Sequence, residues 1–194
     1  MYHVVGGITS RAFRVIWMLE ELGQDFTVDD VKPHSDPALA ANTTGKIPAL
    51  RVGDDYLTDS SAILSYLADK HQTLTHTPGT VERARQDALM HRILDELEAL
   101  LWTAARHSFI LPPEERVPDI KPSLKQEFLR NANRLADAIE GPFLQGAQMT
   151  IADILLTHCL NWAHVAGFPK PDARLTDYAK SMRQREAFKR ALTH

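Results

Sequence analysis

Two short stretches of this chain hold residues whose types and spacing suit the recognition of a small ligand. In Thr44-Gly45-Lys46-Ile47-Pro48-Ala49-Leu50 a proline stands between a polar, turn-prone approach and a short apolar run. An X-Pro bond loses most of the trans preference, so a cis peptide is affordable just before a strand. The N–H and C=O ahead of such a bond turn away from the sheet and are free to pair with an extended ligand. Further on, Asp59-Ser60 opens an amphipathic stretch, and a helix N-terminus favours a carboxylate. Together the two read as a site for a short anionic peptide. Taken singly, each reads first as a tight loop or a capped helix, and the spacing of the two is what shifts the balance.

The elements that must position these residues follow from periodicity. Tyr2 to Val5 is a short strand ended by Gly6-Gly7, and Ala12, Val15, Ile16, Leu19 and Leu22 fall at helical spacing before Gly23. Phe26 to Val31 alternates as a second strand. His34 to Gly45 holds one irregular helical turn, and Ala49–Val52 with Tyr56–Thr58 form a hairpin across Gly53-Asp54-Asp55. Asp59 to about Lys70 is a helix carrying Ile63, Leu64 and Leu67 on one face. The order β-α-β-α-β-β-α combines a parallel crossover with an antiparallel hairpin.

His71 to Gly79 lacks periodicity and reads as a linker, which places the domain boundaries at 1–72 and 80–194. Beyond it the chain is all helical. A long helix is expected from about Val81 to His107, striped by Leu89, Ile93, Leu97, Leu100 and Leu101. Prolines 112, 113, 118 and 122 break regular helix before the next one, marked by Leu124, Phe128, Ala132, Leu135 and Ile139. A third helix follows Ile151, and two short ones follow Pro171. Thr150 and Asp153 have capping-box spacing, a structural role.

Composition narrows the function classes. The chain has 194 residues, 44% of them hydrophobic and 24% charged, with a formal net charge of −3. No basic run interleaved with aromatics points to nucleic acid, and no apolar run reaches membrane-spanning length. A single cysteine, Cys159, excludes an intrachain disulfide and sits in an apolar stretch. The nine histidines show no metal-ligand spacing, so no metal is expected. No basic head and long apolar stretch open the chain, and a cytoplasmic location is expected.

The N-terminal half resembles the thioredoxin fold. It has Ile8-Thr9-Ser10-Arg11 where thioredoxins carry a Cys-x-x-Cys, so disulfide exchange is excluded. Four further pieces in order are similar to the cytosolic glutathione S-transferase family, and most of all to its bacterial, serine-type (theta- or beta-like) members. They are Ser10-Arg11-Ala12-Phe13-Arg14-Val15 running into Leu19-Glu20-Glu21-Leu22-Gly23, Gly45-Lys46-Ile47-Pro48-Ala49-Leu50, Leu57-Thr58-Asp59-Ser60-Ser61-Ala62-Ile63, and Thr150-Ile151-Ala152-Asp153. The resemblance implies a thioredoxin-like N-terminal domain, an all-helical C-terminal domain, and glutathione as co-substrate for conjugation to small hydrophobic electrophiles in detoxification. The other reading is a non-catalytic protein of the same fold that binds glutathione or a partner.

On that resemblance the sulfur of glutathione is held by Ser10, with Thr9 close behind, and Arg11 either adds charge there or projects into solvent. Tyr2 lies too early for a tyrosine-type mechanism. Ser10 equally reads as a helix N-cap. Ile47 presents its backbone to the cysteinyl unit beside a cis Pro48. Asp59 suits the ammonium and Ser60 the carboxylate of the γ-glutamyl end, and Lys46, or His34, reaches the glycyl carboxylate. The electrophile is expected between the domains, against Trp102, His107, Phe109 and Ile110. A homodimer is expected from the family, with the long helix as its contact. The chain's end at Thr193-His194 suggests an open pocket.

Overall fold

The computed structural model describes residues 1–194, which form two compact units, 1–78 with 182–194, and 79–181. In the first unit β1 (Tyr2–Val5), β2 (Phe26–Asp29), β3 (Ala49–Val52) and β4 (Asp55–Thr58) make one sheet in the order β2-β1-β3-β4. β1 and β2 are parallel, while β3 runs antiparallel to both β1 and β4. The mixed sheet follows from the connections. The helix α1 (Ala12–Glu21) carries the chain over between the parallel strands, and Gly53-Asp54 turns the hairpin.

Side chains alternate across a strand, and the two faces are covered differently. Val4 and Leu50 lie opposite each other in register and are fully buried, on the side where α1 and α3 (Ser60–His71) pack. On the other face Val5, Ala41 and Ala49 cluster with Val31 and Ile47, under the short helix α2 (Asp36–Ala41).

One consequence of the register decides where a site can form. Val5 pairs with Asp29 of β2 and Ala49 of β3, and Ala49 pairs with Thr58 of β4. The next residues outward, Asp30, Gly6, Pro48 and Asp59, therefore leave the sheet from one edge. Strands are about 4.8 Å apart, so the row from Asp59 to Gly6 spans roughly 10 Å.

In the second unit, α4 (Val81–Ile93), α5 (Ala99–Ala105), α6 (Lys121–Ala136) and α7 (Ile151–Val165) pack together, and α8 (Ala173–Arg183) is tied to α7 through Tyr178 and Asp153. The single regular helix expected over 81–107 is instead interrupted by two π turns, Leu94–Glu98 and Arg106–Ile110. The sequence shows why. Buried Ile93, Leu97, Leu101 and Ala105 repeat every fourth residue, a spacing that drifts around a regular helix of about 3.6 residues per turn. Wider turns return the stripe to the core.

α7 is the buried centre of this unit. Its Asp153 is fully buried and accepts from the Leu144 and Thr150 N–H groups at 2.9 and 2.8 Å, the Tyr178 hydroxyl at 2.7 Å and the Thr150 hydroxyl at 3.2 Å. Burial nevertheless leaves its pKa raised, and burial together with the Asp153 charge raises that of Tyr178 further. Cys159 is buried as well, its Sγ 3.8 Å from Glu98 Oε2.

The C-terminal segment departs from the expected boundary at 80–194. Residues 182–194 belong to the first unit, where α9 (Glu186–Ala191) packs on α1. Phe188 stands edge-on to Phe13 and Trp17, with centroids 5.1 and 4.9 Å away. Arg185 makes a bidentate pair with Glu21 at 2.6 and 2.8 Å, and Arg190 and His194 hold Glu20 at 2.6 and 2.8 Å. No helix is long and apolar enough to cross a membrane.

Candidate functional site

The Ile47–Pro48 peptide is cis. Ile47 is held by the α2-side apolar cluster, and it packs against the loop after β1. A Cβ on Gly6 would stand 3.0 Å from both Ile47 Cβ and Ala12 Cβ, and Gly6 has φ +124°. Only glycine meets both conditions. The close approach sets the N-terminus of α1 against the Ile47-Pro48 corner.

In the loop itself the three candidate residues differ. Ser10 is engaged: its hydroxyl donates to the Gly7 carbonyl at 2.8 Å and accepts the Ala12 N–H at 3.1 Å. It serves the start of α1, and its proton is committed to the backbone. Arg11 is the half-buried residue at the cap of α1, its carbonyl accepting the Arg14 N–H at 3.2 Å. Thr9 is exposed at the tip of the turn and its hydroxyl bonds to no protein group. Asp30, exposed at the end of β2, lies over Gly7 so closely that a Cβ there would fall 1.8 Å from Oδ1. Nothing in the local sequence announces this carboxylate beside the loop, because the contact depends on strand pairing.

The third piece is the start of α3. Asp59 adopts φ 67°, and its Oδ1 accepts from the Ser61 and Ala62 N–H groups at 2.9 and 3.1 Å. Its carbonyl accepts from Ile63. This cap leaves the Ser60 N–H available and the second carboxylate oxygen of Asp59 exposed to solvent. Ser60 is buried, with 3% exposure, and its Oγ accepts from Arg14 Nη1 at 3.1 Å. Arg14 is fully buried.

Lys46 is exposed, with its carbonyl held by Asn42 Nδ2 at 2.9 Å. His34, at φ 62°, donates its N–H to the Gly45 carbonyl at 2.7 Å and lays its ring over that glycine. Both exposed cationic or ionisable groups thus flank the approach to Pro48.

A sequence model described as "Glutathione S-transferase, N-terminal domain" matches residues 10–70. That span takes in Ser10, the Ile47-Pro48 corner and the start of α3. Among curated relatives, human glutathione S-transferase theta-2B is 36% identical over 149 residues, covering 66% of this chain and 56% of its own length. A zeta-class enzyme of Euphorbia esula is 25% identical over 188 residues, covering 93% of this chain and 81% of its own.

The chain carries the N-terminal domain of the glutathione S-transferase family.

It spans a little over half the length of the theta-class members it matches. The fold of the family extends over the whole chain. A glutathione transferase of Methylococcus capsulatus superposes with a TM-score of 0.86 at 24% identity, covering 100% of this chain and 98% of its own. A theta-class glutathione S-transferase of Xanthomonas axonopodis pv. citri, solved with glutathione bound, gives 0.82 at 21%, covering 100% and 97%.

In the helical unit the residues expected to meet the electrophile are not alike. Trp102 on α5 and His107 on the second π turn are half-buried, and His107 Nδ1 accepts the Val117 N–H at 3.1 Å. Phe109 and Ile110 are 67% and 50% exposed.

Proposed function

We propose that this protein binds glutathione along the Asp59–Pro48–Gly6 edge and transfers its thiolate to a small hydrophobic electrophile. One observation carries the reading. The strand register brings an N-terminal helix cap, a cis-proline corner and the start of α1 into a row of about 10 Å, the length of an extended tripeptide.

The γ-glutamyl carboxylate meets the Ser60 N–H at the positive end of α3, and the ammonium meets the free oxygen of Asp59. The Ile47 backbone pairs with the cysteinyl unit, and Lys46, with His34 beside it, takes the glycyl carboxylate. The thiol then lies at the first turn of α1. A free thiol has a pKa of about 8.5, and a drop of two units requires roughly 2.7 kcal/mol. A hydroxyl donating to an anion supplies about 1.5–3 kcal/mol, and the end of α1 adds about 0.3–1 kcal/mol.

Thr9 is the better placed donor, because Ser10 already spends its proton on Gly7. Arg11 adds positive charge at the same helix end. The electrophile class rests on the apolar surface that Trp102, Phe109 and Ile110 offer. A homodimer, a cytoplasmic location and a role in detoxification belong to the same reading.

Isothermal titration of glutathione into wild type and Ser60→Ala tests the binding half. Micromolar to millimolar affinity in wild type, weakened several-fold in Ser60→Ala, is the expected result. Equal binding by both would move the carboxylate away from α3, and no heat from wild type at millimolar glutathione would end the reading. Binding without any change in the thiol would favour the non-catalytic alternative.

A further inference from the structure

The last residues of the chain grip α1 from end to end. At its C-terminal end Glu20 and Glu21 are held by Arg190 and Arg185. Towards its N-terminal end the contact is aromatic. The Phe188 ring stands edge-on to Phe13 at 5.1 Å and 74° and to Trp17 at 4.9 Å and 87°, and all three side chains are buried. Phe13 belongs to the first turn of α1. Its N–H donates to the Ser10 carbonyl at 3.1 Å, and the Ser10 N–H and hydroxyl both donate to the Gly7 carbonyl, at 3.2 and 2.8 Å. The turn that presents Thr9 thus hangs from Phe13. Ser10 Oγ accepts the Ala12 N–H, while Arg11 at the cap position gives no side-chain cap. A helix start so lightly capped frays unless packing holds it. Edge-on ring contacts are directional, so Phe188 sets where Phe13 lies as well as burying it.

We propose that Phe188 is a positioning residue for the Thr9 hydroxyl. From the C-terminal segment it seats Phe13, and through Phe13 it seats the turn from Gly7 to Ser10, so that Thr9 meets the sulfur. The inference rests on the glutathione reading above and adds a specific claim to it. The ionisation of the bound thiol depends on a buried ring contributed by α9, while the hold on the rest of the tripeptide does not. Any apolar side chain would supply the burial, but seating Phe13 needs the ring. A donor out of line weakens its hydrogen bond steeply, and a displacement of about 1 Å can cost up to about a hundredfold in rate.

The test is the pH titration of the ultraviolet thiolate band of glutathione bound to the full chain. Wild type, Phe188→Leu, Arg190→Gln, Thr9→Ala and the Phe188→Leu/Thr9→Ala double variant are compared. Phe188→Leu stays apolar and loses the ring edge. It should raise the pKa of the bound thiol by about half a unit to one unit, a three- to tenfold loss of thiolate. Glutathione affinity at about pH 5, where the bound thiol is protonated, should stay within about twofold of wild type. Arg190→Gln loosens the same segment at the other end of α1. It should lower the denaturant midpoint and leave the thiol where it is in wild type. In the Thr9→Ala background Phe188→Leu should add less than half of its own shift.

An unmoved thiol in Phe188→Leu, an equal shift in Arg190→Gln, or full additivity with Thr9→Ala would reduce Phe188 to a core residue. Each would overturn the proposal while leaving the glutathione site standing. If Phe188→Leu does not fold, Phe13→Leu removes the same ring contact from the α1 side and decides by the same comparison. A shift that Thr9→Ala absorbs supports the role, and no shift or an additive one refutes it. Wild type that does not bind glutathione, or binds it with the thiol of the free peptide, removes the transferase reading and the proposal together.

Discussion

In the proposed site a thiolate at the first turn of α1 would stand between opposing influences. The end of the helix dipole and the Thr9 hydroxyl favour it. The Asp30 carboxylate, packed over Gly7, disfavours it, since a like charge raises the pKa of its neighbour. At about 6 Å two charges interact by about 1–3 kcal/mol for effective dielectrics between surface and bulk values. That is comparable with what one hydroxyl supplies. Asp30→Asn should therefore lower the pKa of bound glutathione by about one unit, read from its ultraviolet absorbance against pH. An unchanged value would place the sulfur beyond the reach of Asp30.

At this scale the sequence showed residue types without their directions. The cis Ile47–Pro48 corner and the Asp59 cap were legible because proline and a helix cap act on their own neighbours. Ser10 and Thr9 could not be separated, since which hydroxyl bonds back to Gly7 is settled by the turn. Arg14 was hidden because its partner lies on another helix, and nothing in the spacing of α1 points there.

Among the elements, α1 is shared by two tasks. Its N-terminus faces the proposed sulfur site, and its C-terminus is clasped by the last residues of the chain. Glu20 is partly buried, which alone would raise its pKa, but the His194 and Arg190 bonds outweigh burial and leave it lowered. A carboxylate whose folded pKa lies below the unfolded one stabilises the fold above the unfolded value and loses that contribution as pH falls through the folded pKa. Glu20→Gln should thus destabilise the protein at neutral pH by denaturant titration. The difference from wild type should persist down to about the ordinary 4.5 and close below it. A pH-independent difference would assign the loss to packing.

The clasp itself was not legible. Periodicity announced two short helices after Pro171, and both are present as α8 and α9. It said nothing of which surface they cover. Phe188 finds Phe13 and Trp17 through shape, a long-range match that local spacing does not encode. The π turns of the long helix were closer to the surface of the sequence, in the four-residue repeat from Ile93 to Ala105.

For the whole molecule, the family assignment and the two-unit fold rest on pattern distributed along the chain. A thioredoxin-like sheet brings three loops to one edge through its register, which the apolar pattern of the strands and the hairpin turn set. What the whole molecule does depends on whether the edge merely holds glutathione or also ionises it. The deciding measurement is the ultraviolet difference spectrum of glutathione bound to wild type, Thr9→Ala and Ser10→Ala, followed against pH. A thiolate band in wild type that titrates well below 8.5, the value of the free thiol, shifts upward in Thr9→Ala and persists in Ser10→Ala is the predicted result. Bound glutathione that titrates as the free thiol in all three would contradict the transferase account and leave a protein that only binds the peptide.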